Sequence, residues 1–419
     1  MCFACISLSA LARKLKRSLI STSAAIHGRV TTLPRMNDRP AALLLLLLSF
    51  ACTPGHTADP PERVARVSAL IGDLTLQNAG SADLSPAFRN WPIASGDRLV
   101  TSSGSVAQLS LGTAAVSLEE NADVSLAQLD QDIVQLRILS GAASIHLREL
   151  RSGEAYAVQI PNSTVHLLRA GDYRFEVSGD GSSRIVTRSG EAEVKTGLAN
   201  FQQLTGEVAE VGADGMVSVA RAKEAGEHST RRPERKITRA STVNHVARGL
   251  VGYEDLDDYG TWQWTPEYGM VWEPKVSAEW APYRFGEWIW KSPWGWTWVD
   301  DAPWGFAPFH YGRWVQLNTR WYWLPGPRQL APAYAPALVR WTASPGDDST
   351  IGWRPLGPRE AYIPPYPASE LHVQRLNLFA NVRTHAASAA EPTNVDAEAP
   401  AAVAWMQRSE LENHPPLLH

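Results

Sequence analysis

Tyr259-Gly260-Thr261-Trp262-Gln263-Trp264 is echoed by Phe285-Gly286-Glu287-Trp288-Ile289-Trp290, and again by Tyr311-Gly312-Arg313-Trp314-Val315-Gln316. The copies start at 259, 285 and 311, so the period is 26 residues both times. Self-similarity at a fixed spacing of this size marks one supersecondary unit used repeatedly. Within a copy the tryptophans stand two apart, which puts them on one face of an extended strand. Trp288 and Trp290 do so before the turn Lys291-Ser292-Pro293, and Trp294, Trp296 and Trp298 after it. The opposite face carries Glu287, Ile289, Gly295, Thr297 and Val299. Connectors repeat too, Trp280-Ala281-Pro282-Tyr283 aligning with Phe306-Ala307-Pro308-Phe309. The pattern predicts a row of β-hairpins, with a degenerate fourth at Val339-Arg340-Trp341 and Gly352-Trp353-Arg354-Pro355-Leu356.

The 419 residues include 17 tryptophans, and fifteen of these fall between Trp262 and Trp353. From Trp262 to Pro325 there are thirteen Trp but only seven Val, Ile or Leu, so aromatic rings must fill the interior that aliphatics would otherwise fill. The main expectation is therefore a tryptophan core. The alternative is a displayed row that stacks on sugar rings, and a repeat can bury one row while showing another. The ligand-binding candidates are Trp262, Trp264, Trp272, Trp288, Trp290, Trp296, Trp298, Trp314, Trp321 and Trp323, with Glu287, Arg313 and Gln316 as flanking hydrogen-bonding groups.

Outward from the repeat, residues 62–220 read as short strands divided by Gly, Asn, Asp and Ser. Val64 to Leu70, Ala107 to Leu111, Val134 to Leu139, Ala143 to Leu147, Tyr156 to Ile160 and Tyr173 to Val177 are examples among roughly ten. Helical patterning is weak, which favours an all-β sandwich, barrel or solenoid-like sheet. Gly96-Asp97-Arg98-Leu99-Val100-Thr101, then Gly104 to Gly112, the Gly141 turn, and Arg169-Ala170-Gly171-Asp172-Tyr173-Arg174-Phe175 resemble the periplasmic domain of the FecR family. That resemblance implies an external sensing or protein-contact module. The family's signal transfer also needs a cytoplasmic helical segment and a spanning helix, and here the N-terminus reads as a signal peptide instead. Residues 250 to 360 resemble an uncharacterised Trp-, Gly- and Pro-rich family that commonly follows FecR-like domains. The fold class expected is thus all-β, a FecR-like β-sandwich or solenoid-like domain followed by a Trp-rich β-hairpin repeat domain. Asp97, Arg98, Asp172 and Arg174 are read as turn chemistry.

Residues 1–58 form the signal region. The run Ala41 to Ala51, with Leu43 to Leu48 unbroken, is too short for a bilayer, which needs about 20 residues, and suits a signal-peptide core. Met36 is the expected start, with Arg39 as the positive flank. Ser49-Phe50-Ala51-Cys52 resembles a lipoprotein box, which would acylate Cys52 and attach the protein to a membrane; cleavage after Ala58 is the other route. Both lead out of the cytoplasm, to the periplasm or an outer-membrane tether. Residues 221–250 are basic and poor in large apolar groups, a composition expected of an exposed linker. Residues 251–366 hold the repeat, and 367–419 are expected to be a mostly disordered tail.

Function classes narrow by what is missing. Cys2, Cys5 and Cys52 are the only cysteines, so nothing after Cys52 can use a thiolate. No two of the eleven histidines are spaced for a metal, and no phosphate loop or nucleophile elbow occurs. A net charge of −4 gives no field for nucleic acid. The expectation is a non-enzymatic envelope protein without cofactor, whose partner is an envelope protein or, alternatively, a cell-wall glycan such as peptidoglycan. Mass spectrometry of the mature protein should find an N-terminus at Cys52 carrying an acyl mass; an unmodified chain beginning at Asp59 would select the second cleavage route.

Overall fold

Alternation of apolar and polar residues in the first region lays its strands into two layers that share one core. The computed structural model describes residues 59–221, 241–378 and 403–409, which belong to one compact unit, Thr57–His419. The first layer runs, in spatial order, Pro92–Ile93, Ala65–Ile71, Val106–Ser110, Ala114–Leu118, the C-terminal half of Ile133–Leu147, Gly171–Val177, Ser183–Thr187, Glu207–Val211 and Val217–Arg221. The second runs Leu84–Pro86, Leu74–Gln77, Arg98–Thr101, Asp123–Leu129, the N-terminal half of Ile133–Leu147, Ala155–Ile160, Ser163–Leu167, Glu191–Thr196 and Asn200–Leu204. One 15-residue strand, Ile133–Leu147, therefore belongs to both layers. It crosses at Gly141, whose φ of +78° and a would-be Cβ only 2.6 Å from Asn121 O and Ala122 Cα leave room for glycine alone. Val67, Leu76, Leu109, Leu126, Ile145, Phe175 and Val194 are among the side chains closed between the layers. The expected strands are present; the two read as Val134 to Leu139 and Ala143 to Leu147 are this single crossing strand.

The second region consists of four hairpins: Gly260–Thr265 with Gly269–Pro274, Gly286–Lys291 with Gly295–Asp300, Arg313–Leu317 with Arg320–Leu324, and Val339–Ser344 with Asp347–Pro355. The register places Trp262 opposite Trp272, Trp288 opposite Trp298, Trp314 opposite Trp323 and Trp341 opposite Trp353. Trp272 also pairs with Trp323, which joins the first and third hairpins into a four-stranded sheet. The glycine of each repeat has a steric reason. A Cβ on Gly260 would stand 2.2 Å from the Trp272 ring, one on Gly286 2.8 Å from Trp298, and one on Gly312 2.7 Å from the Trp323 indole nitrogen. The cross-strand indole lies over a residue that must have no side chain.

Two parts of the chain expected to lack structure are folded. Glu370–Leu376 is a helix whose N-cap Ser369 accepts from the His372 N–H at 3.2 Å, and Ala404–Gln407 adds a third strand to the fourth hairpin. The other residues of 367–419 beyond Leu378, apart from 403–409, lie outside the described residues. Of the basic stretch 221–250, Arg221 ends the last sandwich strand, and Ser241–Leu250 packs Val246, Ala247 and Leu250 into the protein. Residues 222–240, the leucine run, Cys52 and Ala58 also lie outside the described residues.

The sandwich and the hairpins are welded by buried polar contacts. Lys291 Nζ, in the second hairpin, donates to Asp97 of the sandwich and to Asn78 Oδ1 at 2.6 Å, and the Lys291 and Asp97 side chains are almost wholly enclosed. Arg66 and Asp255 form a second enclosed pair. Asn90 Nδ2 donates to the carbonyls of Asp300 and Ala302, each at 2.8 Å. Val64 and Ala94 join the aromatic core of the hairpins. Asp97 does serve its turn, accepting from the N–H of Ala79 at 3.0 Å and of Ala94 at 2.8 Å, but it is also the counter-ion of Lys291. Burial lowers the Lys291 pKa despite the nearby carboxylate. Asp97→Ala strands this ammonium and should cost about 3–5 kcal/mol. Lys291→Met leaves Asp97 its two backbone donors and should cost distinctly less. Urea denaturation of both variants checks this, and equal costs would contradict the assignment.

Candidate functional site

The interior of the hairpins is built from indoles held edge to face. Trp288 meets Trp298 at 5.3 Å and 69° and Trp353 at 5.5 Å and 89°, while Trp272 meets Trp304 at 5.0 Å and 64°. Such pairs contribute about 0.5–1.5 kcal/mol beyond their burial. Four of the inner indole N–H groups are bonded internally. Trp272 donates to Leu256 O at 3.0 Å, Trp314 to Pro308 O at 2.9 Å, Trp323 to Tyr311 O at 2.9 Å and Trp353 to Tyr283 O at 3.0 Å. Each bond ties a strand to a segment that leads into a hairpin.

This divides the ten candidates. Trp272, Trp288, Trp298, Trp314, Trp321 and Trp323 are core, and burial leaves them no face for a ligand. Trp262 is half-buried under Ser241–Leu250, with its N–H on Thr242 Oγ1 at 2.8 Å and its ring 4.8 Å from that of His245. Trp264 and Trp290 emerge, 68% and 41% exposed, and Trp296 is half-exposed beside Trp290. In the second hairpin the base pair Trp288 and Trp298 is enclosed and Trp290 and Trp296, two positions towards the tip, come out, whereas in the third hairpin Trp321, two positions from Trp323, stays buried. Trp290 and Trp296 cross at 89° with centroids 5.5 Å apart, and one edge of Trp290 rests against Gly295. Trp264 faces Met270 across its hairpin.

The flanking groups separate in the same way. Glu287 and Gln316 are exposed. Arg313 is not a ligand-facing group, because it is enclosed and donates to Gly312 O at 2.8 Å, Asn377 Oδ1 at 3.1 Å and Glu360 O at 3.2 Å. Burial pushes its pKa down to about 10. Phe285, exposed beside the second hairpin, was not among the candidates. Its repeat counterpart Tyr311 is buried, so the motif position alone does not reveal it. Among the described residues no group of three His, Cys, Asp or Glu could hold a metal, and no helix is long and apolar enough to cross a membrane.

Residues 253–360 match a family of unknown function, DUF6600. The match covers the hairpins and agrees with the 250–360 boundaries expected for a Trp-, Gly- and Pro-rich family. No match to a FecR family model accompanies it. Two crystal structures of a protein from Parabacteroides distasonis ATCC 8503, assigned as an anti-sigma factor, are similar at 18% and 17% identity, each with a TM-score of 0.27 over 30% of this chain. The chain spans 59% of that protein's length. No curated protein matches.

At the base of the second hairpin, Asp300 accepts from Trp298 Nε1 at 3.1 Å and from the Ala302 N–H at 3.0 Å. Burial outweighs both bonds and pushes its pKa up to about 8. A carboxyl raised in this way stabilises the fold fully below the unfolded value near 3.8, and that contribution is lost as pH rises through 8. Stability should therefore fall between pH 4 and pH 8, by up to about 1.4 kcal/mol per pH unit from this group. Asp300→Asn should remove that slope, and thermal melts across the range measure it; a slope unchanged in the variant would refute the origin given.

Proposed function

We propose that the protein is a non-catalytic binding protein of the cell envelope, in which the emergent indoles Trp264 and Trp290 contact a partner protein. The supporting observation is that these exposed rings continue rows whose inner members are locked in the core. Rigid aromatic anchors of this kind lose little conformational freedom on docking and dominate interface energetics. The right angle between Trp290 and Trp296 favours insertion into a protein pocket over the flat platform that stacking on a sugar ring requires. The export reading rests on the leucine run and Cys52, and attachment to a membrane through an acylated Cys52 belongs to the same proposal.

Trp264→Ala with Trp290→Ala should change the melting temperature little, because both rings are exposed. A photo-crosslinking residue at position 264 or 290 should capture one discrete envelope protein from the full-length chain in intact cells. The double alanine variant, with the crosslinker at Phe285 instead, should lose that product. Crosslinks that are diffuse, or that persist in the variant, would reject the proposal; displacement of the product by neutral oligosaccharide would turn the assignment towards a glycan.

A further inference from the structure

The outer face of the second sandwich layer carries a polar rung that the hairpins do not touch on. Strand registers put Arg137 beside Gln159, Gln159 beside Thr164 and Thr164 beside Lys195. Their chain neighbours Leu136, Val158, Val165 and Val194 are in the core, so alternation turns the four polar residues outward. The rung lies in an open cleft of about 630 Å³, within the range of roughly 300–1,000 Å³ usual for small-ligand sites. Leu139, 47% exposed, and the turn at Pro161 and Asn162 complete it.

Two features define what the cleft takes. Its lining holds two cations, Arg137 and Lys195, and no carboxylate. Glu193, on the neighbouring rung, bonds Lys195 Nζ at 2.9 Å, and an exposed pair of that kind contributes little and yields to a competing anion. Finally, strands lie about 4.8 Å apart, so the three steps from Arg137 to Lys195 span about 14 Å. A single phosphate cannot reach both ends. An extended oligomer crossing the strands can, with Gln159 and Thr164 between the charges to bond neutral hydroxyls. A peptide would gain its main-chain bonds at an open strand edge, whereas this face covers strands already paired on both sides.

We propose that this cleft binds an acidic oligosaccharide, with carboxylates at Arg137 and Lys195 and hydroxyls on Gln159 and Thr164. The site is separate from the emergent indoles and does not depend on their role. Calorimetric titration of the full chain with tetragalacturonate at low salt should give saturable binding at least ten-fold tighter than cellotetraose or tetraglutamate. Arg137→Ala with Lys195→Ala, both exposed and neutral for the fold, should weaken it at least ten-fold with an unchanged circular dichroism spectrum. Trp264→Ala with Trp290→Ala should leave it unaltered. No binding of tetragalacturonate, equal binding of cellotetraose or tetraglutamate, or full binding by the double cation variant would each overturn the site.

Discussion

An indole laid across the strand from a bare glycine, with its N–H bonded to a connector carbonyl, is the contact on which the hairpin region depends. Gly260 under Trp272 and Gly312 under Trp323 show both parts of it. The glycine lets the ring lie close to the backbone, and the N–H fixes where the incoming connector must run. Geometry of the strand and path of the loop are thus set by one side chain. A repeat built this way does not need many aliphatic residues, because each ring removes about 150–250 Å² from water by itself. It also explains why the indole nitrogens of Trp272, Trp314, Trp323 and Trp353 are not available to a ligand.

Much of this could be read from the chain. The 26-residue period, the two-residue spacing of tryptophans and the Gly and Pro between copies carry the hairpins directly, since side-chain direction in a strand follows from local geometry. The strands of the sandwich were legible for the same reason. What escaped depends on cover rather than on direction. Trp288 and Trp290 share a face and differ by two positions, yet one is core and the other emerges, because only the base of the hairpin is roofed by the rest of the protein. Lys291 and Asp97 both looked like turn residues. Their pairing joins positions 194 residues apart, and no local pattern encodes it. The tail helix was missed through its surroundings: residues 367–419 together suggested a mostly disordered tail, although Ser369 ahead of Glu370 is an N-cap signal in its own right.

The sandwich and the hairpins handle exposed chemistry differently. The hairpins keep an aromatic interior and show aromatic tips, which suits docking by shape. The second layer of the sandwich keeps aliphatics inside and shows an even rung of amide, hydroxyl and cation, which suits recognition by hydrogen bonds and charge. The polar rung stands on strands paired on both sides, whereas Trp290 stands on a two-stranded hairpin and Trp264 on the edge strand of a four-stranded sheet. The strand Ile133–Leu147 contributes further, because a chain segment shared by two layers prevents them from sliding past one another.

The welded seam has a bearing on modularity. A segment recognised by its own repeat invites treatment as an interchangeable cassette, to be cut at the basic stretch and grafted elsewhere. Here the cassette's core includes Val64 and Ala94 from the other side of the cut, and its Lys291 is neutralised by an acid it does not own. Transplanted without that host, the repeat would carry a desolvated cation and an open flank of aromatic surface. Fusions that preserve it must either bring the matching edge of a sandwich or supply a neutral residue at position 291 and a new cover for the indoles.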